Sequence, residues 1–189
     1  VYAWGCGTFT EGNLDGAIPA LGQGEKAEDL GAMPRLVDGP GDVVDVTGGA
    51  YHSVLLTSRG GVWTMGANQL GQLGRTTPSS SSSTTATATD DKHTPTPLTL
   101  TDGSGLPVDP QPKLVRGIPP SETVTSIGAG FYNTLARCAS GALYCAGENQ
   151  NRQCGIPDTN NVTNMTRVDA VGGENVQYAE GGYCHTLVQ

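Results

Sequence analysis

The sequence predicts an all-β fold built from a repeated unit of short antiparallel strands and glycine turns. Residues 46–56 read VTGGAYHSVLL, a pattern that indicates a strand, a glycine turn and a second strand. Related segments recur at 128–149 and at 181–188. The chain holds 28 glycines in 189 residues, and this abundance suits tight turns between short strands. The chain is therefore interpreted as a repeat array before any single residue is assigned a role.

The spacing inside the repeats supports this interpretation. His52 and Trp63 are separated by 11 positions, and Asn133 and Tyr144 are separated by 11 as well. Two insertions lengthen the first two units, and setting them aside leaves a repeat of about 52–55 residues. A unit of that length made of short strands has the size of a β-propeller blade.

We expect one domain over residues 1–189, a partial β-propeller of about three blades. Repeat one covers 1–60, repeat two covers 61–141 and repeat three covers 142–189. Alternating hydrophobicity between glycine turns predicts two sets of three adjacent antiparallel strands, one set in each of two neighbouring blades. The first set is Val43–Val46, Ser53–Thr57 and Val62–Met65, and the second is Thr123–Ile127, Thr134–Arg137 and Leu143–Ala146.

Several residues recur at one place in each unit, which indicates a role in packing and turn geometry rather than in catalysis. The histidines could also serve as ligands or general bases, but their repeated position favours the structural role. We expect the large aromatic residues to pack between neighbouring blades, so that Trp63→Ala costs about 3–5 kcal/mol. The structural repeat positions are Trp4, Gly49, His52, Trp63, Gly74, Gly130, Asn133, Tyr144, Gly182 and His185.

Repeat two contains a low-complexity insertion at residues 76–111, rich in serine, threonine and alanine. Such a composition buries too little apolar surface to offset its ordering entropy. One interpretation is a flexible insertion on the blade rim, whose deletion over 78–109 leaves the blades folded. The other is a regulated or partner-ordered arm, because Thr-Pro dipeptides begin at Thr77, Thr94 and Thr96.

The overall charge argues against direct binding to nucleic acid. The formal net charge is −8, and the 10 basic residues are scattered, with no two adjacent. Phosphate binding needs clustered lysine and arginine. The sequence has no apolar run long enough to span a membrane, and no targeting segment is visible at Val1. Since the sequence does not begin with methionine, we expect a processed or partial chain.

The cysteines favour an intracellular protein. There are five of them, an odd number, and none forms a CxxC pair. A zinc site built from Cys138, Cys145, Cys154 and His185 is conceivable, but the spacing fits no standard zinc pattern. Free thiols in a reducing compartment are the simpler interpretation, with the cytoplasm or the nucleus favoured over secretion.

The repeated segments resemble the regulator of chromosome condensation repeats, which build seven-bladed β-propellers. The resemblance rests on residues 46–56, on Trp4-Gly5 and on 68–74, which reads NQLGQLG. It implies a propeller of which about three blades are present here. The sequence departs from the repeat pattern where Asn133 replaces the histidine, Glu180 replaces a small residue and Cys154 replaces the leucine.

We expect no catalytic, cofactor-binding or metal-binding residues, because no GxxxxGK[ST], GxSxG or HExxH motif occurs. The resemblance leaves three functional hypotheses. The first is a non-catalytic scaffold that binds protein partners within a larger assembly. The second is guanine-nucleotide exchange on a Ran-type GTPase. The third is light sensing like that of the plant UV-B photoreceptor, which needs clustered tryptophans and is set aside because only Trp4 and Trp63 occur.

Overall fold

The computed structural model describes residues 1–3, 35–76, 100–101, 107–171 and 175–189. Trp4 and most of the insertion in repeat two lie outside these residues. Within the described residues the fold is almost entirely β, with a single 3-10 turn at Asp169–Val171. No helix in this part of the chain has the length and apolar character needed to cross a membrane.

The chain forms a series of antiparallel sheets that follow one another in sequence. A short pair comes first, β1 (Tyr2–Ala3) with β2 (Arg35–Leu36). Blade I contains β3, β4, β5 and β7, with β6 added outside β7. Its strands are β3 (Val43–Gly48), β4 (His52–Thr57), β5 (Val62–Ala67), β6 (Leu100–Thr101) and β7 (Pro107–Leu114).

Blade II repeats the same four-stranded order without the extra strand. It is followed by sheet III, a two-stranded continuation of the array. The strands of blade II are β8 (Val124–Ala129), β9 (Asn133–Cys138), β10 (Leu143–Gly147) and β11 (Val162–Arg167), and those of sheet III are β12 (Ala179–Gly181) and β13 (Thr186–Val188). All six strands predicted from the sequence are confirmed, in the predicted adjacency.

The outer strand of blade I extends into the low-complexity insertion. Strand β7 starts at Pro107, so residues 107–111 belong to the blade rather than to a flexible segment. A register shift between Thr64 and Gly66 places a bulge in the β5–β7 pairing. Bulges tolerate residues that a regular ladder excludes, which explains how a strand reading PVDPQPKL can pair here.

The main core lies between blade I and blade II. Alternate residues of β4 point toward blade II, where they meet residues of β9, β10 and β11. Burying each valine or leucine of this kind contributes roughly 1.5–3 kcal/mol. The buried residues that meet across this boundary include Val54, Leu56, Val62, Ala136, Tyr144 and Met165.

The first strands of successive sheets approach one another closely. A Cβ built on Gly128 of β8 would lie 2.6 Å from the carbonyl oxygen of Ala179 in β12. Next to these strands, the amide of Ala50 donates to the carbonyl of Phe131 at 3.0 Å, and the amide of Phe131 donates to Gly182 at 3.0 Å. The turns that follow β3, β8 and β12 are therefore linked, and we call the end of the array where they lie the turn face.

Candidate functional site

The three repeated glycines Gly49, Gly130 and Gly182 each follow or end the first strand of a sheet. In all three turns the glycine amide donates to the carbonyl of the residue three positions later, at 2.8–2.9 Å. A Cβ on Gly130 would lie 2.0 Å from Asn133 Oδ1 and 2.7 Å from the carbonyl oxygen of Gly182. Glycine is required here because the next turn and the following side chain occupy that space.

The repeated histidine His52 belongs to a hydrogen-bonded relay that joins blade I to blade II. His52 Nε2 lies 2.9 Å from Thr134 Oγ1, and Thr134 Oγ1 donates to the carbonyl of Gln72 at 2.7 Å. The hydroxyl of Thr134 has one hydrogen, so His52 must donate through Nε2. Burial lowers the pKa of His52 from 6.5 to about 4, which keeps the ring neutral near pH 7.

Blade II and sheet III are joined by an equivalent relay. Asn133 occupies the histidine position, and its Nδ2 donates to Thr186 Oγ1 at 3.4 Å. Thr186 Oγ1 in turn donates to the carbonyl of Gln153 at 2.6 Å. We call both arrangements the inter-blade relay. The asparagine amide supplies the same donor as the imidazole, so the departure from the repeat pattern preserves the contact.

The aromatic positions differ in their surroundings. Tyr144 is 5% exposed and packs in the core between blades I and II. Trp63 occupies the equivalent position in blade I, because it is the cross-strand partner of Leu55 as Tyr144 is of Ala136. Trp63 is half-buried and lies on the face of blade I that points away from blade II. Its packing against a preceding blade stays a prediction, because Trp4 lies outside the described residues.

Two further repeat positions also sit at blade contacts or edges. Gly74 has φ of +61°, and a Cβ there would lie 2.8 Å from the sulfur of Met165. The last histidine of the array, His185, is exposed on sheet III. Gly74 thus lies at the contact with blade II, and the structural role of the repeat positions as a group stays a prediction.

The turn face carries an aromatic strip that the sequence analysis did not identify. Tyr51, Phe131, Tyr132 and Tyr183 come from the three equivalent turns. Ring centroids are 5.7 Å apart between Tyr51 and Tyr132, 4.8 Å between Phe131 and Tyr132, and 4.3 Å between Phe131 and Tyr183. The sequence signal that could have identified this strip is an aromatic residue one or two positions after the turn glycine in each repeat.

A buried ion pair connects the two ends of the insertion in repeat two. Arg75 Nη1 lies 3.0 Å from Asp109 Oδ2, and their side chains are 4% and 5% exposed. Lys113 Nζ lies 2.9 Å from the same oxygen, and Arg75 Nη2 donates to the carbonyl of Thr64 at 2.9 Å. Both ends of the insertion are thus fixed to blade I.

A cavity of about 340 Å³ lies between blade II and sheet III. Its lining includes Leu135, Leu143 and Val168, with Arg152 and His185 also present. The three equivalent residues of blade I are buried in the cluster that contains Tyr144, and they are Val54, Val62 and Val115. We therefore interpret the cavity lining as a blade-to-blade contact surface rather than as a ligand site.

The cysteines and His185 do not assemble into the conceivable zinc site. Cys138 packs in the core toward blade I, whereas Cys145 and Cys154 pack in the cluster on the opposite side of blade II. Burial raises the pKa of Cys138 to about 11 and also raises that of Cys145. Thiols that are protonated at neutral pH are poor nucleophiles.

Sequence models of the regulator of chromosome condensation (RCC1) repeat match this chain. One matches residues 43–72 and 124–153, and a second matches residues 59–137. The first pair of matches coincides with the first three strands of blade I and of blade II. The second match runs from the turn after β4 into β9 and so bridges the two blades.

Curated proteins and solved structures contain similar sequences and folds. Protein pim1 of Schizosaccharomyces pombe is 32% identical over 77% of this chain and 23% of pim1. Ras guanine nucleotide exchange factor C of Dictyostelium discoideum is 41% identical over 68% of this chain and 9% of that protein. Prp20p of Saccharomyces cerevisiae has the same fold, with a TM-score of 0.70 at 20% identity over 90% of this chain and 37% of Prp20p. The chain thus spans well under half of each.

Proposed function

Because the chain belongs to the regulator of chromosome condensation repeat family, we propose that it is a non-catalytic interaction module within a larger propeller protein. Its blades act as a rigid support, and its turns and insertions supply the surface that partner proteins contact. The acidic net charge of −8 favours protein partners over nucleic acid. The free thiols of Cys138, Cys145 and Cys154 favour a nuclear or cytoplasmic location.

The observation that carries this proposal is the aromatic strip on the turn face. Tyr183 is 64% exposed. A tyrosine side chain contributes most binding free energy when a partner buries its ring. Aromatic residues are enriched where proteins meet other proteins. The inter-blade relay and the glycine turns hold the strip on fixed backbone, which reduces the entropy lost on binding.

The interaction role can be tested on the full-length protein that contains this chain, here called the parent protein. The tagged parent protein is purified from the cells that naturally express it and analysed by size-exclusion chromatography. We expect a protein partner to co-elute with it in a fixed ratio through a second column at raised salt. A parent protein that elutes alone at every salt concentration would contradict the proposal. The same experiment on a variant that disrupts the fold, Gly130→Trp, controls for proteins that co-elute without recognising the folded array.

The second candidate is guanine-nucleotide exchange, which the relatives favour. One similar protein is named as a Ras guanine nucleotide exchange factor, and Prp20p is described with binding properties to Gsp1p and histones. The matched segments are small fractions of those proteins. Exchange activity of this chain is therefore proposed as the alternative to the interaction role. The two functions differ in one observable, the rate of nucleotide release from a Ran-type GTPase.

A further inference from the structure

Two glutamates, Glu148 and Glu180, make hydrogen bonds to the segment around Phe131 and Tyr132. The amide of Glu148 donates to the carbonyl of Tyr132 at 2.9 Å, which fixes the backbone of Glu148 next to the strip. Glu180 Oε1 accepts from the amide of Ala129 at 3.4 Å, two residues before Phe131. Both glutamates are half-buried. Neither takes part in an ion pair with another described residue.

Glu180 has no counterpart in the other repeats. The equivalent positions are Thr47 in β3 and Gly128 in β8, both small. The carboxylate is oriented by two donors, the Ala129 amide and the hydroxyl of Tyr178, which donates to Oε2 at 3.1 Å. Glu180 thus places a negative charge, oriented by these two hydrogen bonds, at the contact between sheet III and blade II, where the other repeats have none.

The chemistry of the surface selects a cation with a flat face. An arginine guanidinium stacks on aromatic rings and binds carboxylates through paired N–H donors. Arg152, the basic residue in the loop after Glu148, does not fulfil this role because its Nε donates to the carbonyl of Pro157 at 3.1 Å. A proline-rich segment would use the rings but would bring no positive charge to the carboxylates.

We infer that the aromatic strip, Glu148 and Glu180 together form a docking surface for an arginine-bearing segment of a partner protein. The inference rests on the proposed interaction role and names the chemistry of the partner. The negative net charge of the chain attracts such a segment, and the ring of Tyr183 is 64% exposed and so accessible to the guanidinium.

Fluorescence anisotropy with a labelled arginine-containing peptide tests the docking surface. The matched probe is the same peptide with citrulline in place of arginine, which keeps the shape and removes the charge. We expect the citrulline peptide to bind at least about tenfold more weakly, because it loses both the charge on the carboxylates and the cation–π contact. Equal binding of the two peptides would overturn the inference.

Single substitutions at the exposed Tyr183 and the half-buried Glu180 locate the site on the surface. Tyr183→Ala should weaken binding of the arginine peptide roughly two- to fivefold, the range for a single exposed cation–π contact. Glu180→Gln removes the charge of a surface ion pair and should weaken binding by up to about fivefold. The matched control is Tyr2→Ala, since Tyr2 is also 64% exposed but lies on β1. Equal effects of Tyr2→Ala and Tyr183→Ala would contradict the assignment.

The same variants in the parent protein separate this inference from the proposed function. Loss of the co-eluting partner in the Tyr183→Ala, Glu180→Gln double variant supports the docking surface. Retention of the partner in that variant overturns the docking surface and leaves the interaction role intact. Absence of a partner from the unaltered parent protein contradicts the interaction role itself.

Discussion

Replacing Thr134 by valine removes the central hydroxyl of the inter-blade relay and changes little else, because the two side chains have nearly the same shape. The substitution leaves the Nε2–H of His52 and the carbonyl of Gln72 without the partners they have in the relay. His52, Gln72 and Thr134 are each at most 2% exposed. A buried polar group left unpaired costs about 1–3 kcal/mol, so the two groups together give a loss of roughly 2–6 kcal/mol.

Urea unfolding, followed by tryptophan fluorescence and by far-UV circular dichroism, measures this loss. Thr186→Val is the matched control, because Thr186 makes the equivalent contacts at a half-buried position where water can replace them. We expect the control to lose clearly less stability than Thr134→Val. A loss below about 0.5 kcal/mol for Thr134→Val, with an unchanged denaturant slope, would refute the role assigned to the relay.

Three further predictions concern stability. His52 has a pKa of about 4 in the folded protein against 6.5 in the unfolded chain, so protonation favours unfolding. The free energy of unfolding should therefore be highest above pH 6.5 and should fall by about 3 kcal/mol as the pH drops to 4. Urea titrations at a series of pH values should show a smaller fall in the His52→Asn variant. Asp109→Ala leaves the buried guanidinium of Arg75 without its carboxylate and should lower the free energy of unfolding by about 3–5 kcal/mol in chemical unfolding. Arg59→Ala removes an exposed ion pair and should lower it by less than about 1 kcal/mol. Similar losses in the two variants would contradict the stabilising role of the buried pair. Gly130→Ala should lower stability by roughly 1–3 kcal/mol in thermal melts, while Gly41→Ala, with open space around its Cβ, should change it by less than about 1 kcal/mol in either direction.

The sequence revealed the strands of the blades because alternation and glycine turns are local signals. Val62–Met65 and Leu143–Ala146 could be identified as strands from their own residues and the turns beside them. Strand β7 could not, because its prolines argue against a strand and only the bulge opposite Thr64 and Gly66 makes the pairing acceptable. The deletion considered for 78–109 would remove Asp109, so a deletion that preserves the blade has to end before Pro107.

The candidate site was harder to predict because it depends on contacts between repeats. The sequence showed that Glu180 departs from the repeat pattern, yet its contact with Ala129 spans 51 positions. The rings of Phe131 and Tyr183 likewise meet only because successive turns are hydrogen-bonded to each other. Repeat spacing identifies equivalent positions, but it does not show which of them meet in space or remain exposed.

Release of a fluorescent guanine nucleotide from a Ran-type GTPase tests the central claim most directly. The parent protein is added at micromolar concentration, with EDTA-driven release as the positive control and the GTPase alone as the baseline. An interaction module without exchange activity should leave the release rate at the baseline while still co-eluting with its partner protein. A robust acceleration by the parent protein that the Gly130→Trp variant loses would contradict the account and establish the exchange function instead.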